Sequence, residues 1–455
     1  MQNGKDGETT GMRERPVTAR EAALSVLESY RRMNTPPDTA FEKFAGSLPT
    51  RERALAKRLY DGTLQNQALC DFYASCYSSI QIKKLEPRVL DILRISIYQL
   101  VFLTKVPHSA AVNEGVALAK KLKNPRAAGF INAVLRKITT AVEDNNLPQV
   151  SGNDCDRLSI MYSHPKWLVR ELLDLLGVTG AEALLSENNA SDLALTAQVN
   201  TLRTCTDDVL SELTESGVCA TRHEWLDDCV CIRGAGAVDR LKEFNNGHIY
   251  IQDAASRLAV IAAGPKPRDF IIDGCAAPGG KSFAAAIAMK NTGVITAFDI
   301  NRAKLRQIEQ GAGRMGLSII RTVQKETSDD AGVYRESGDI VLADVPCSGL
   351  GVIRRKPDIR YKDESGIAGL PDLQKAILKE LSLQVKPGGV LLYSTCTVLK
   401  RENEEVVDWF LQDNKHFKTE GFTIPGAGSV PEGKITLFPH IHGTDGFFIC
   451  KLRKS

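Results

Sequence analysis

From Thr18 to about Val142 the apolar positions recur every three or four residues. "AREAALSVLESY" sets Ala22, Ala23, Val26, Leu27 and Tyr30 on one stripe, and "RERALAKRLYDGTLQNQALCDFYA" and "LEPRVLDILRISIYQLVFL" keep the period. This spacing predicts amphipathic helices, with no strand alternation between them. "PHSAAVNEGVALAKKL" predicts a further helix capped by Ser109 after Pro107, and "AAGFINAVLRKI" closes an all-helical domain over 13–142. The polar stretch "VEDNNLPQVSGN" (142–153) reads as a linker.

Beyond it the pattern changes twice. "HPKWLVRELLDLLG" and "TGAEALLSENN" predict two helices. A strand in "LALTAQVNTLRT", a helix in "TDDVLSELTESG" and short strands in "WLDDCVCIRG" and "GHIYIQD" complete a small α+β module over 154–250. "QDAASRLAV" predicts a helix at the entrance to the next domain. From Phe270 the short apolar runs "FIIDG", "VITAFDI", "SIIRTVQ", "DIVLAD" and "GVLLYST" alternate with helical segments such as "AKLRQIEQGAGRMG" and "PDLQKAILKELSLQVK". Buried strands alternating with helices predict a parallel sheet covered on both faces, an α/β Rossmann-like domain over 251–455. "ITLFPH" and "GFFICKL" are expected to add an antiparallel pair at one edge, with His440 and His442 on one face of a strand.

Composition narrows the class. A chain of 455 residues, 43% hydrophobic and 25% charged, is an ordinary globular protein too long for one core. No apolar run reaches membrane-spanning length, so no membrane partner is expected. The polar start "MQNGKDGETTGMRERP" lacks the apolar core of a signal peptide, and eleven cysteines form no C-x-x-C pair. Reduced thiols in a cytoplasmic protein are expected. Cys229 and Cys231, and likewise His440 and His442, lack the spacing of a metal site, so no metal is expected. A monomer is the expectation for assembly. Residues 1–150 carry 22 Lys and Arg against 15 Asp and Glu, a surplus of seven, while the remainder has a deficit of four. That asymmetry suggests a polyanion partner, against the plainer reading of a solvated helical surface.

The candidate chemistry lies at strand ends. "FIIDGCAAPGGKS" (270–282) runs from a strand through a glycine turn into a helix, and Asp299 ends the next strand twenty-six residues after Asp273. Free amides in such a turn bind ligands, and an acid at the second strand end accepts ribose hydroxyls. The lysine stands one place too late for the phosphate-loop pattern, and the dinucleotide glycine fingerprint is absent. An adenosine ligand without a pyrophosphate fits, and S-adenosylmethionine is such a ligand. Two further strand ends carry thiols: Cys347 in "DVPCSGLG" and Cys396 in "YSTCT". A methyl donor beside two thiols points to carbon 5 of a pyrimidine, a poor nucleophile until a thiolate adds to carbon 6. A second group must then serve removal of the carbon 5 proton and release of the thiol. Asp344, hydrogen-bonded to the ring nitrogen, would make carbon 6 more electrophilic. The residues alone leave the two thiols interchangeable.

"DGCAAPGGK", "AFDI", "DVPCSGLGVIRRKPDIR" and "YSTCTVLKRENEEVV", in this order, resemble the RNA cytosine-C5 methyltransferase family. The resemblance implies that Cys396 is the nucleophile and that Cys347 assists release. It implies a donor site at Cys275, Ala276, Ala277, Pro278, Gly279, Gly280 and Lys281, with Asp299 and Asp344. The family's acid after the third strand is replaced here by Thr327, with Asp329 or Asp330 as substitutes. "AREAALSVL", "LRISIYQLVFL" and "VPHSAAVNEGVALAKKL" are similar to the helical RNA-binding domain of the antitermination factor NusB. That domain fused to this catalytic half is the arrangement of a bacterial family that methylates one cytosine of 16S ribosomal RNA, the implied partner. After the Pro-Cys loop, Arg354, Arg355, Lys356 and Arg360 are placed to hold phosphates, with Tyr361 to stack on a flipped base. Two other classes remain open from sequence: a non-enzymatic RNA-binding factor, and an NTPase built on the late-lysine loop.

Overall fold

The structure, a computed structural model, describes residues 18–33, 37–122, 124–191, 193–325 and 332–455. Thr327, Asp329 and Asp330 lie outside the described residues. The chain divides into two compact units, Met1–Val178 and Thr179–Ser455.

The first unit is helical. It contains α1 (Ala19–Met33), α2 (Pro37–Ala45), α3 (Thr50–Gln65), α4 (Gln67–Tyr77), α5 (Pro87–Phe102), α6 (His108–Lys120), α7 (Pro125–Glu143) and α8 (Asp154–Met161). The predicted α1 stripe is buried at Ala22, Ala23, Val26 and Leu27, while Tyr30 stays half-buried. Helix α5 is apolar on nearly every side, so it occupies the centre, with Ile92, Leu93, Ile95 and Ile97 fully buried. Helix α6 begins two residues before the start that a Ser109 cap implies. Pro107 takes the N-cap position and Ser109 falls in the first turn, so it is not the cap.

Helix α9 (Lys166–Glu187) bends at Gly177, whose φ of 67° breaks the helical run and yields the two segments expected. Within the second unit, β1 (Leu195–Val199), α10 (Thr206–Glu215), β2 (Cys219–Arg222), β3 (Cys229–Arg233), α11 (Lys242–Asn245) and β4 (Ile249–Ile251) form the small module. Its antiparallel sheet has the order β2-β3-β1-β4. Strand β2, mostly exposed, carries no apolar alternation and so gives no signal in the sequence.

The larger domain follows: α12 (Ala254–Ala263), β5 (Phe270–Asp273), α13 (Gly280–Ala288), β6 (Val294–Asp299), α14 (Arg302–Met315), β7 (Ile320–Gln324), β8 (Gly338–Asp344), α15 (Glu364–Ile367), α16 (Leu370–Ser382), β9 (Val385–Thr395), α17 (Glu404–Asp413), β10 (Phe417–Thr419), β11 (Phe422–Ile424), β12 (Gly428–Val430), β13 (Lys434–Leu437) and β14 (Phe447–Lys454). The sheet order is β10-β14-β9-β8-β5-β6-β7, with β13 on β14. Strands β5 to β9 pair in parallel, and β14 runs antiparallel to β9. Along β8, Ile340 and Leu342 pack with α12, α13 and α14, whereas Val341 and Ala343 pack with α16 and α17. This is the two-residue alternation of a strand covered on both faces. His440 and His442 lie in a single helical turn, Pro439–His442, and not on a strand. Pro439 has no N–H for a ladder and opens that turn instead.

Candidate active site

Strand order reverses between β5 and β8: the chain passes from β5 outward to β6 and β7, then returns to β8 on the other side. Loops leaving the carboxyl ends of β5 and β8 therefore diverge and open a crevice. Asp273 ends β5 fully buried and accepts a hydrogen bond from Ser282 Oγ at 2.7 Å. The turn after it is pinned by Gly274 N–H to Leu342 O and Ala276 N–H to Phe298 O, both at 2.9 Å. Gly279 has φ 105°, and a Cβ there would come within 2.6 Å of the Phe283 ring, so the turn into α13 requires glycine.

A cavity of about 300 Å³ opens in the crevice. Gly274 and Cys275 line it from the turn, Asp299 and Ile300 from the end of β6, and Pro346, Leu373 and Ile377 from the opposite side. Asp299 Oδ1 accepts the Asn301 N–H at 2.8 Å. The predicted donor loop is divided. Cys275 lines the cavity that holds Asp299, whereas Pro278 and Gly280 line a second cavity, about 570 Å³, with Tyr250 and Phe283. Ala276 is buried and Ala277 half-buried in the turn itself. Ile300, Leu373 and Ile377 were not foreseen, because an apolar residue on a cavity wall has the same sequence signature as one in the core.

Lys281 is almost buried. Its Nζ lies 2.6 Å from Asp344 Oδ2 and 2.9 Å from Ser256 Oγ, and 5.0 Å from the centre of the Phe447 ring. The other Asp344 oxygen, Oδ1, accepts from Ser394 Oγ at 2.7 Å. A lysine so engaged is committed to Asp344, which removes the structural basis for a phosphate-loop role.

The two thiols meet. Asp344 on β8 lies in register with Ser394 on β9, and the loops that follow bring Cys347 Sγ to 3.2 Å from Cys396 Sγ. Gly351 N–H donates to Cys396 O at 2.9 Å, and Gly446 N–H to Gly351 O at 2.8 Å. A Cβ on Gly351 would stand 1.9 Å from Gly446 O, so this crossing admits only glycine. The hydrogen bond between the thiols splits their acidities. Cys347 is held well above the usual thiol range by its bond to Cys396, by burial and by the charge of Glu402. Cys396 is lowered by the bond it receives from Cys347 and by the Lys281 ammonium, against burial and the Asp344 charge. Of the two, Cys396 is the more acidic thiol and so the better nucleophile.

The basic stretch after the Pro-Cys loop corrects one expectation. Arg354 is buried and bonded to Asp445 Oδ1 at 2.8 Å, Glu187 Oε1 at 3.3 Å and Gly443 O at 3.0 Å. Arg355 spans Asp445 and Asp253, with its Nη2 3.0 Å from Asp253 Oδ2. Arg360 is fully buried, donating to Pro357 O, Asn188 O and Asn189 Oδ1, and burial pulls its pKa down to about 10. These guanidinium groups brace the loop through carboxylates and carbonyls, Arg354 and Arg360 from inside and Arg355 with a quarter of its side chain still exposed. Lys356 alone of the four predicted residues is exposed.

Comparison with known proteins matches all three regions. Residues 17–140 match the NusB family, 164–239 the RsmF/B-like ferredoxin-like domain, and 260–453 the family described as 16S rRNA methyltransferase RsmB/F. A Bacillus subtilis protein called probable ribosomal RNA small subunit methyltransferase B is 35% identical over 423 residues, covering 90% of this chain and 92% of its own. Its Synechocystis namesake is 33% identical over 96% of this chain and 100% of its own. The crystal structure of PH0851 superposes with a TM-score of 0.79 at 27% identity, covering 96% of this chain and 99% of that one. A methyltransferase homologue from Pyrococcus horikoshii gives a TM-score of 0.57 at 30% identity, over 67% of this chain and 100% of its own. Such identity across the full length, with the three domains in order, makes this chain a member of the ribosomal RNA small subunit methyltransferase B family.

Proposed function

We propose that this protein methylates carbon 5 of a cytosine in 16S ribosomal RNA, using S-adenosylmethionine and a covalent bond from Cys396 to carbon 6. The observation that carries the reading is the pair of thiols 3.2 Å apart beside Asp344, at the mouth of a strand-end crevice. The family supplies the RNA class and the methyl transfer, and a ribosomal RNA substrate implies action in the cytoplasm.

The cavity suits an adenosine moiety, being small, walled by Ile300, Leu373 and Ile377 with Lys304 and Lys325 at its polar side, and furnished among the described residues with one carboxylate, Asp299, for ribose hydroxyls. When bound there, S-adenosylmethionine supplies an electrophilic methyl to carbon 5. This chain does the rest. Cys396 adds to carbon 6 as the thiolate, its proton having passed to solvent and its charge being stabilised by the hydrogen bond from Cys347, and the ring electrons move to carbon 5. Asp344, held by Lys281 and Ser394, orients the base through its polar edge. After transfer the carbon 5 proton leaves and the carbon–sulfur bond breaks, its electron pair returning to Cys396. Cys347 assists that departure.

The test is a pair of substitutions incubated with 16S ribosomal RNA and S-adenosylmethionine. Cys347→Ala should accumulate a protein–RNA adduct that survives denaturing electrophoresis, and Cys396→Ala should give none. Undiminished methylation in both variants would end the thiol mechanism. Bisulfite mapping of ribosomal RNA from cells lacking the protein would then identify the target cytosine.

A further inference from the structure

The helical turn after β9 ends in Glu402 and Asn403, both buried to within 1% of full enclosure and neither of them among the residues that line the 300 Å³ cavity. Their bonds are paired in an informative way. Glu402 Oε2 accepts the Ser348 N–H at 2.8 Å and the Gln374 Nε2–H at 2.9 Å. The same Gln374 nitrogen donates to Pro346 O at 3.1 Å. Pro346 and Ser348 are the two neighbours of Cys347. Asn403 does the same for the other thiol: its Oδ1 accepts from Thr395 Oγ1 at 2.5 Å and its Nδ2 donates to Thr397 O at 3.0 Å. Thr395 and Thr397 are the two neighbours of Cys396. Tyr393 Oη donates to Glu402 O at 2.6 Å, which anchors the dipeptide to β9. Ser348 Oγ to Thr397 Oγ1, at 2.8 Å, joins the two loops directly.

We propose that Glu402 and Asn403 are positioning residues that clamp the flanks of the two thiols separately, Glu402 fixing Cys347 for product release and Asn403 fixing Cys396 for attack. The inference rests on the covalent reading above and adds the division of labour within it. Two loops from adjacent strands have no covalent tie, so only such buried bonds can hold two sulfurs in contact. The buried carboxylate has a second consequence. A carboxylate beside Cys347 opposes a second anion there, which makes Cys347 the thiol that keeps its proton and donates to the sulfur that must leave in the release step proposed here. In the release step the carbon 5 proton passes to solvent water, its bonding pair forms the carbon 5–carbon 6 double bond, and the carbon 6–sulfur pair stays on Cys396. The Cys347 hydrogen bond stabilises that departing thiolate and no proton is consumed.

The experiment separates formation from release. Full-length protein is incubated with 16S ribosomal RNA and S-adenosylmethionine, and adduct and methylated product are both followed. Glu402→Ala should form adduct at the native rate but raise its steady level about tenfold or more and lower turnover in proportion. Glu402→Gln, which keeps the accepting oxygen, should recover most of that loss. Asn403→Ala, combined with Cys347→Ala to trap adduct, should slow adduct formation about tenfold against Cys347→Ala alone. If Glu402→Ala fails to fold, Gln374→Ala carries the test, and should show the same release defect. Equal loss in both steps for every variant, or an unchanged adduct level in Glu402→Ala or its substitute, overturns the clamp. Absence of adduct in Cys347→Ala itself would refute the covalent mechanism instead, so the two failures are distinguishable.

Discussion

Asp273 carries the clearest electrostatic cost in the site domain. Burial pushes its carboxyl up to about 6, while the hydrogen bond from Ser282 and the Lys281 charge pull it down and the Asp344 charge adds to the rise. In an unfolded chain an aspartate titrates near about 3.9. The folded protein thus binds the extra proton between these values, and stability falls as pH rises through that window. Above about pH 6 the deficit is constant. Asp273→Asn keeps the oxygen that receives Ser282 and carries no charge in either state. The variant should be more stable than the native protein at pH 7.5, by up to about 3 kcal/mol, and the advantage should vanish near pH 4. Urea unfolding at a series of pH values checks this. Strand-end acids such as Asp273, Asp299 and Asp344 are visible in sequence because each closes an apolar run. Their environments are not visible: Asp273 is sealed, Asp299 lines a cavity and Asp344 is gripped by a lysine. The two cysteines were legible as strand-end thiols, but their contact depends on the β8–β9 register and on buried Glu402 and Asn403. In "LKRENEEVV" those two read only as polar residues opening a helix.

At the scale of elements, the strands and helices with strong periodicity were legible, and the loop between Cys347 and α16 was not. Its sequence "GVIRRKPDIRYK" holds six charged groups of one sign or the other within a short span, and a solvated basic surface is the natural reading. Two short 3-10 turns, Leu350–Val352 and Pro357–Tyr361, fold it inward, and Asp253, Asp445 and Glu187 supply the anions. Those acids are distant in sequence, so nothing local announces the pairing. Arg360→Leu should therefore act on stability. It removes the Arg360 hydrogen bonds to Pro357 O, Asn188 O and Asn189 Oδ1, at a cost of about 2–4 kcal/mol in denaturant unfolding. Lys356→Ala should leave stability unchanged and act on RNA affinity. If its ammonium meets one phosphate, the slope of log affinity against log salt falls by about 0.7–1. A stability loss with Lys356→Ala and none with Arg360→Leu would reverse the assignment of the two side chains.

Over the whole molecule, charge and chemistry are segregated. The site lies within Thr179–Ser455, whereas the surplus of seven positive charges lies in residues 1–150. A catalytic domain that selects one base in a long RNA gains little from its own crevice, because flipping a base costs several kcal/mol and gives no information on position. Affinity for the polyanion can come from a second unit whose cations are spread over helices. Many of those cations are exposed: Lys120 at the end of α6, Arg126 at the start of α7 and Lys137 further along it. Replacing these three with glutamate should leave the fold and binding of S-adenosylmethionine intact, because none of them lies in the unit that holds the cavity. RNA affinity at low salt should drop, and its salt slope should flatten by about two to three. Methylation at saturating RNA should persist, so that the loss appears in KM and not in kcat. A fall in kcat with unchanged RNA affinity would mean that the helical unit acts on the chemistry itself and that its positive surface is only a solvated exterior.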